Sequence, residues 1–148
     1  CRAAVVSLCQ AQAAWVGIAN RTRARSRQMI KELSANFSGT AFAEYELDSS
    51  LSAACPEQVD LLVNTTAVGL KGEIFGFPVT DCVASGGAVF DMVYTPEPTA
   101  LLKEAQGKGL SSADGLGMLS AQGEEAFQLW FGRAPEAHVM RQKLDETG

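Results

Sequence analysis

Short apolar segments alternate with helical segments along the whole of this chain. Trp15–Ala19, Val59–Asn64 and residues 87–94 are mostly apolar, which is typical of strands that are covered on both faces. Segments with helical spacing lie between and after them. Because strands and helices alternate, the sequence predicts a doubly wound α/β fold, with one parallel sheet and helices on both of its faces.

The predicted elements follow one another without an internal repeat or a linker. The predicted helices are Arg2–Gln10, 24–36, Leu51–Ala54, 99–105, Leu116–Phe131 and 136–146, and the predicted strands are Trp15–Ala19, 40–45, Val59–Asn64, 87–94 and 109–113. A helical turn is expected within residues 78–85.

Composition excludes several classes of protein. The chain is 47% hydrophobic and 20% charged, as expected of a single globular domain over residues 1–148. Its net charge of −5 argues against general binding of nucleic acid. We see no apolar run long enough for a membrane span and no signal peptide, and expect a cytoplasmic protein. The four cysteines and the one histidine lack metal-ligand spacing, so no metal site is predicted.

A basic cluster occupies the turn between the first predicted strand and the next helix. Four of the 12 Lys and Arg residues lie between Arg21 and Arg27. A helix start carries partial positive charge, so this cluster is unfavourable unless an anion binds there. Arg21 and Arg25 are four residues apart and can point to one side. In dinucleotide-binding folds, Arg at this place takes the 2′-phosphate of NADP. A phosphate clamp and a solvated basic helix face both fit the pattern.

Three predicted strand ends are polar: residues 20–25, 64–69 and 91–94. In parallel sheets, ligands bind beyond the carboxyl ends of the strands. We therefore expect these three segments to converge on one crevice.

Four motifs in this order resemble a known family. They are Asn20-Arg21-Thr22; Asn64-Thr65-Thr66; Asp91-Met92-Val93-Tyr94-x-Pro96 with Thr99-x-Leu101-Leu102; and Asp114-Gly115-Leu116-Gly117-Met118-Leu119-x-x-Gln122 with Ala126-Phe127-x-x-Trp130-x-Gly132. Together they resemble the NADP-binding half of shikimate dehydrogenase over essentially the whole chain. The resemblance implies a Rossmann-like domain from an NADPH-dependent oxidoreductase of aromatic amino-acid (chorismate) biosynthesis. That enzyme would reduce 3-dehydroshikimate to shikimate reversibly.

The resemblance also implies that this sequence is a fragment. It begins as a helix, without an initiator Met or an N-cap residue. The family's first strand and glycine-rich turn would precede Cys1. The N-terminal substrate domain would be absent too, and with it the catalytic Lys and Asp, so no catalytic residue is assigned to this chain. The complete enzyme could be a homodimer.

Site residues follow from the resemblance position by position. The residues expected at the adenosine 2′-phosphate end are Asn20, Arg21, Thr22 and Arg25. Thr66 is expected near the pyrophosphate or the nicotinamide ribose, and Met92 and Gly115 against the nicotinamide. Tyr94 and Gln122 are expected to reach the substrate. The segment 67–70 departs from the family pattern, which leaves the loop contacts open.

Plainer roles compete with several of these assignments. Gln122 could be a surface glutamine, Tyr94 a strand-end aromatic and Met92 ordinary packing. Asp91 and Asp114 could suggest an acid–base pair, but one ends a buried strand and the other precedes a helix, where capping is usual. Trp130 and Phe131 are expected in the core.

Two other functions fit the same motifs. One is a paralogue that acts on quinate or another cyclic polyol. The other is a non-catalytic NADP-binding module with a regulatory role, which an upstream domain without a Lys–Asp pair would favour.

Overall fold

The computed structural model describes residues 1–55, 58–136 and 139–147. In chain order these residues form α1 (Arg2–Gln10), β1 (Trp15–Ala19), α2 (Arg23–Ser34), β2 (Ala41–Tyr45), α3 (Leu51–Ala54), β3 (Val59–Asn64), a 3₁₀-helix (Val79–Cys82), β4 (Val83–Asp91), α4 (Ala100–Gly107), β5 (Ser111–Ala113), α5 (Leu116–Phe131) and α6 (Val139–Thr147). The elements alternate as the sequence predicts, and the α/β class is confirmed.

The first of two compact units contains residues 1–59 and 75–82. Its strands β1 and β2 are parallel, with Trp15 opposite Ala41 and Ala19 opposite Tyr45. Helices α1 and α2 pack on this sheet, and the core between them consists of Val5, Cys9, Val16, Ile18 and Leu33. The apolar positions alternate along β1, so its buried side chains all enter this core.

The second compact unit contains residues 60–74 and 83–148. Its sheet has the order β3-β4-β5, and β4 and β5 are parallel, with Ala88 opposite Ser111. Helix α4 packs on β4 and β5 and buries Leu101, Leu102 and Ala105 against strand residues such as Val89. Helix α5 packs against α6.

The predicted strand 87–94 is wrong at both ends, because β4 covers Val83–Asp91. The strand begins where the 3₁₀-helix ends, four residues earlier than expected. It ends at Asp91 because the carboxylate Oδ1 of that residue accepts a hydrogen bond from the backbone N–H of Val93 at 3.1 Å. Because the Val93 amide is used in this local bond, it is not available for pairing with a neighbouring strand.

The expected burial of Trp130 and Phe131 is also wrong. Their exposed fractions are 77% and 61%, and Leu129 beside them is 82% exposed. The apolar residues of α5 have the spacing that predicts a buried stripe, but none of the described residues covers the end of this helix.

The expected single sheet is divided between the two units, into β1-β2 and β3-β4-β5. Residues 20–25 belong to the first unit, whereas residues 64–69 and 91–94 belong to the second. Convergence of the three segments on one crevice stays a prediction. Among the residues described, no helix has both the length and the apolar character needed to cross a membrane.

Candidate functional site

Asn20 shapes the turn between β1 and α2. Its backbone N–H donates to the carbonyl of Tyr45 at 3.2 Å, which continues the pairing of β1 with β2. Its side-chain Oδ1 accepts from the N–H of Thr22 at 3.0 Å. Thr22 is the N-cap of α2 and contributes no side-chain capping bond. The turn is therefore held by Asn20, and it leaves the Thr22 hydroxyl exposed at the helix start.

Two of the four clustered arginines are paired with carboxylates. Arg23 lies 3.5 Å from Glu44 and 3.5 Å from Glu46, and Arg27 lies 3.4 Å from Glu44. Ser26, which is fully buried, also donates to Glu44 at 3.3 Å. Glu44 projects from β2, so the strand fixes this side of α2 and compensates its positive charge.

Arg21 and Arg25 differ from their neighbours. Both are exposed, and neither guanidinium group has a hydrogen bond or an ion pair with any residue that the structure describes. The first turn of α2 also contains no acidic side chain. The helix dipole adds partial positive charge at the same place. Guanidinium groups without a partner among the described residues, close to a helix start, are groups of the kind that bind phosphate.

In the second unit, Asn64 holds the loop that follows β3. Its Nδ2 donates to Asp91 Oδ1 at 2.8 Å and to the carbonyl of Val68 at 3.1 Å. Its Oδ1 accepts from the backbone N–H of Thr66 at 2.9 Å and from the Thr66 hydroxyl at 2.8 Å. The half-buried Thr66 is thus fixed at both its backbone and its side chain.

Asp91 lies at the centre of this arrangement and is 0% exposed. Besides Asn64, it accepts from the Val93 N–H at 3.1 Å and from the Thr99 hydroxyl at 2.7 Å. The same Thr99 oxygen accepts from Leu102 N–H and caps α4. Three neutral donors bind its two oxygens, and the group is fully buried, so no ligand reaches it from solvent. The acid–base role that the sequence analysis set aside for Asp91 has no support here.

Met92, Tyr94 and Gly115 lie near the ends of β4 and β5. Met92 is half-buried, and Tyr94 is 45% exposed. Gly115 is buried so closely against the backbone of Met92 that an added Cβ would lie 2.2 Å from the Met92 carbonyl oxygen. Asp114 accepts from Leu116 N–H at 3.1 Å, but the N-cap residue of α5 is Gly115 and the helix has no side-chain capping bond, so the expected capping role of Asp114 is wrong. The start of α5 is therefore locked onto the segment that follows β4.

Gln122 lies on α5 and is exposed, with no partner among the described residues. Its amide can therefore reach a ligand that approaches this helix, and its exposure is equally that of a surface glutamine.

Sequence comparison identifies relatives of the chain. Residues 115–144 match the family model described as the shikimate 5′-dehydrogenase C-terminal domain. Shikimate dehydrogenase (NADP(+)) of Geobacter sulfurreducens is 46% identical over 142 residues, which cover 95% of this chain and 49% of that protein. The chain is a relative of the shikimate dehydrogenases. It spans about half the length of the curated relatives that it matches.

Solved structures of similar proteins agree with this relationship. A shikimate 5-dehydrogenase from Thermus thermophilus, solved in complex with NADP(H) and shikimate, is 32% identical with a TM-score of 0.70, over 90% of this chain and 46% of that one. A quinate dehydrogenase from Corynebacterium glutamicum has a TM-score of 0.80 at 24% identity, over 97% of this chain and 50% of that one. The second likeness shows the Rossmann-like fold alone.

Sequence reasoning assigned no role to Asn64, Thr99 or Glu44 in this shikimate dehydrogenase relative. The sequence pattern did single out Asn64 and Asp91, because each is a polar residue at the end of an apolar strand. Their contact could not be predicted from that signal, since it depends on β3 and β4 being neighbours in the sheet. The same is true of Glu44, which meets α2 only through the pairing of β2 with β1.

Proposed function

We propose that this chain provides the NADP-binding part of an enzyme that reversibly reduces 3-dehydroshikimate to shikimate with NADPH. The observation that carries the proposal is that the Arg21 and Arg25 side chains, near the start of α2, have no partner among the described residues, whereas Arg23 and Arg27 pair with Glu44. The similarity to dehydrogenases named for NADP(+) supports it. So does the similarity to a structure solved with NADP(H) and shikimate.

The described residues fit this cofactor at its adenosine end. A 2′-phosphate adds charge and acceptor oxygens, and charge-assisted hydrogen bonds to such groups are about twice as strong as neutral ones. Arg21 and Arg25 supply the guanidinium groups, and Asn20 and Thr22 form the turn at the start of α2. The absence of an acidic side chain in the first turn of α2 removes the group that would favour the 2′-hydroxyl of NAD.

The other proposed contacts lie in the second unit. We place Thr66, Met92 and Gly115 along the pyrophosphate and nicotinamide half of the cofactor, and Tyr94 and Gln122 at the substrate. When bound, NADPH supplies the hydride, and the protein supplies binding and orientation. The catalytic Lys and Asp of the family have no counterpart assigned in this chain, so we place proton transfer in the remaining half of the enzyme. A cytoplasmic location and a homodimer stay predictions.

The test uses the complete protein that contains this sequence. We expect it to oxidise shikimate with NADP⁺, with kcat/KM for NADP⁺ at least ~10-fold above that for NAD⁺, because roughly 1.4 kcal/mol from one charge-assisted bond is a factor of ten. Turnover of quinate without turnover of shikimate would instead identify the polyol paralogue. Binding of NADP⁺ without turnover of either substrate would identify a regulatory module.

A further inference from the structure

A buried hydrogen-bond network connects three segments of the second unit. It consists of Asn64, Thr66, Asp91, Val93 and Thr99, and we call it the Asp91 network. It joins the loop after β3, the segment after β4 and the start of α4. The first two segments carry Thr66, Met92 and Tyr94, which the proposed function places at the ligands.

Asp91 fixes the orientation of the Asn64 side chain. Its Oδ1 accepts a hydrogen bond from Asn64 Nδ2 at 2.8 Å, so the amide nitrogen of Asn64 faces the carboxyl group. The Asn64 Oδ1 then faces Thr66 and accepts from both its N–H and its hydroxyl. The Thr66 oxygen in turn accepts from Val68 N–H at 3.1 Å. One carboxylate thereby orients the whole loop of residues 64–68.

The same carboxylate holds the segment that follows β4. Its Oδ1 accepts from Val93 N–H, between Met92 and Tyr94. The Met92 N–H donates to the Asn64 carbonyl at 3.0 Å, which ties the two strand ends together a second time. The Gly69 position is similarly restricted, because an added Cβ would lie 3.2 Å from the Thr99 side chain.

We propose that Asp91 is a positioning residue, which holds the Thr66 loop and residues 92–94 in the arrangement that binds the nicotinamide half of the cofactor. Asp91 is 0% exposed, so it acts only through these neighbours. The identity of the ligand rests on the proposed function. The hydrogen bonds by which Asp91 holds the two segments do not depend on that function.

The structure separates conservative from disruptive substitutions of Asp91. In Asp91→Asn, Oδ1 can still accept from Asn64 and Val93, and the new amide can donate to the Thr99 hydroxyl, which accepts as well as donates. Asp91→Ala leaves all three donors without an acceptor. Asn64→Asp places two carboxyl groups in direct contact, and it also removes the donor to the Val68 carbonyl.

The first measurement is amide hydrogen exchange on the ligand-free chain of residues 1–148. We expect Asp91→Ala and Asn64→Asp to speed exchange of the Thr66, Val68 and Val93 amides at least ~10-fold more than that of Val89 inside β4. Asp91→Asn should stay within about threefold of wild type. The matched control is Asp60→Asn, the same chemical change at an exposed position of β3. Uniform acceleration of all four amides would show a merely structural role and overturn the proposal.

The second measurement is steady-state kinetics of the complete enzyme. We expect the two disruptive variants to lower kcat at least ~10-fold, while the inhibition constant of adenosine 2′,5′-bisphosphate stays within about twofold, because the adenosine end binds elsewhere. Faster exchange of the Thr66, Val68 and Val93 amides together with an unchanged kcat would contradict the positioning role. If the wild-type enzyme turns over neither shikimate nor quinate, the proposed function fails, and the exchange experiment still decides whether Asp91 locks the loop. If Asp91→Ala does not fold, Asn64→Asp carries both measurements, with Asp91→Asn as the conservative variant.

Discussion

At the scale of single residues, Gly115 has the least space for a side chain among the glycines that the structure describes. An added Cβ would lie 2.2 Å from the Met92 carbonyl oxygen and 2.8 Å from its carbonyl carbon, both of them backbone atoms that cannot rotate away. We expect Gly115→Ala to lower the free energy of unfolding by about 1–3 kcal/mol, the usual cost of overpacking. Urea unfolding of the chain measures this.

The control for Gly115→Ala is Gly107→Ala at the end of α4, where an added Cβ meets nothing within 4 Å. This control should change stability by less than about 1 kcal/mol, in the stabilising direction, since Ala is the better helix former. Equal unfolding midpoints for the Gly115 variant and wild type would show that α5 does not begin against Met92.

Gln122 tests the substrate end of the proposed site. It is exposed, so its removal leaves the fold intact, and any effect belongs to a ligand. In the complete enzyme we expect Gln122→Ala to lower kcat/KM for shikimate at least ~10-fold, with NADP⁺ affinity almost unchanged. Gln128→Ala, on the same helix and equally exposed, should leave both quantities at the wild-type value. Wild-type kinetics for the Gln122 variant would show that Gln122 is a surface residue that does not contact the substrate.

At the scale of elements, the arginines of α2 and of the turn before it differ in their pairing. Arg23 and Arg27 face Glu44 on β2, whereas Arg21 and Arg25 face no carboxylate among the residues described. We expect Arg21→Ala to weaken NADPH binding by the complete enzyme roughly 10- to 100-fold and to leave NADH nearly unchanged.

Arg27→Ala is the matched control for Arg21→Ala. It removes the same charge six residues further along the chain, but from an exposed ion pair, which contributes little. We expect its KM for NADPH to stay within about threefold of wild type. Equal losses of NADPH and NADH in the Arg21 variant would show that this residue does not bind the 2′-phosphate.

The elements themselves were largely predictable, and the contacts between them were not. Strands β1 and β3 and helix α5 have the predicted bounds, because their apolar spacing is continuous. Strand β4 was misplaced because its end depends on a side-chain bond from Asp91 to the Val93 amide. The pairing of Arg23 with Glu44 depends on the strand register, which local patterns do not contain.

At the scale of the whole molecule, the end of α5 shows what periodicity cannot predict. Trp130, Phe131 and Leu129 follow a helical apolar pattern and yet are exposed. An apolar stripe shows which side chains can be buried, but burial also needs a surface to cover them. The described residues provide none at this helix end.

The length of the chain bears on its activity. It spans about half of its curated relatives, and the site residues proposed here bind and orient rather than transfer protons. We expect purified residues 1–148 to form no NADPH from shikimate and NADP⁺, since general acid–base catalysis alone typically contributes 10²- to 10⁴-fold. Absorbance of NADPH follows the reaction. Turnover at the rate of a complete enzyme, with host enzyme excluded, would contradict the assignment of catalysis to the other half.

The most direct test of NADP binding is calorimetric titration of residues 1–148 with two adenosine ligands. Adenosine 2′,5′-bisphosphate carries the phosphate that Arg21 and Arg25 are proposed to bind, and adenosine 5′-monophosphate lacks it. We predict at least ~10-fold tighter binding of the bisphosphate. This preference should disappear in Arg21→Ala/Arg25→Ala and persist in Arg23→Ala/Arg27→Ala. Equal affinity of the wild-type chain for the two ligands would contradict the proposed 2′-phosphate site.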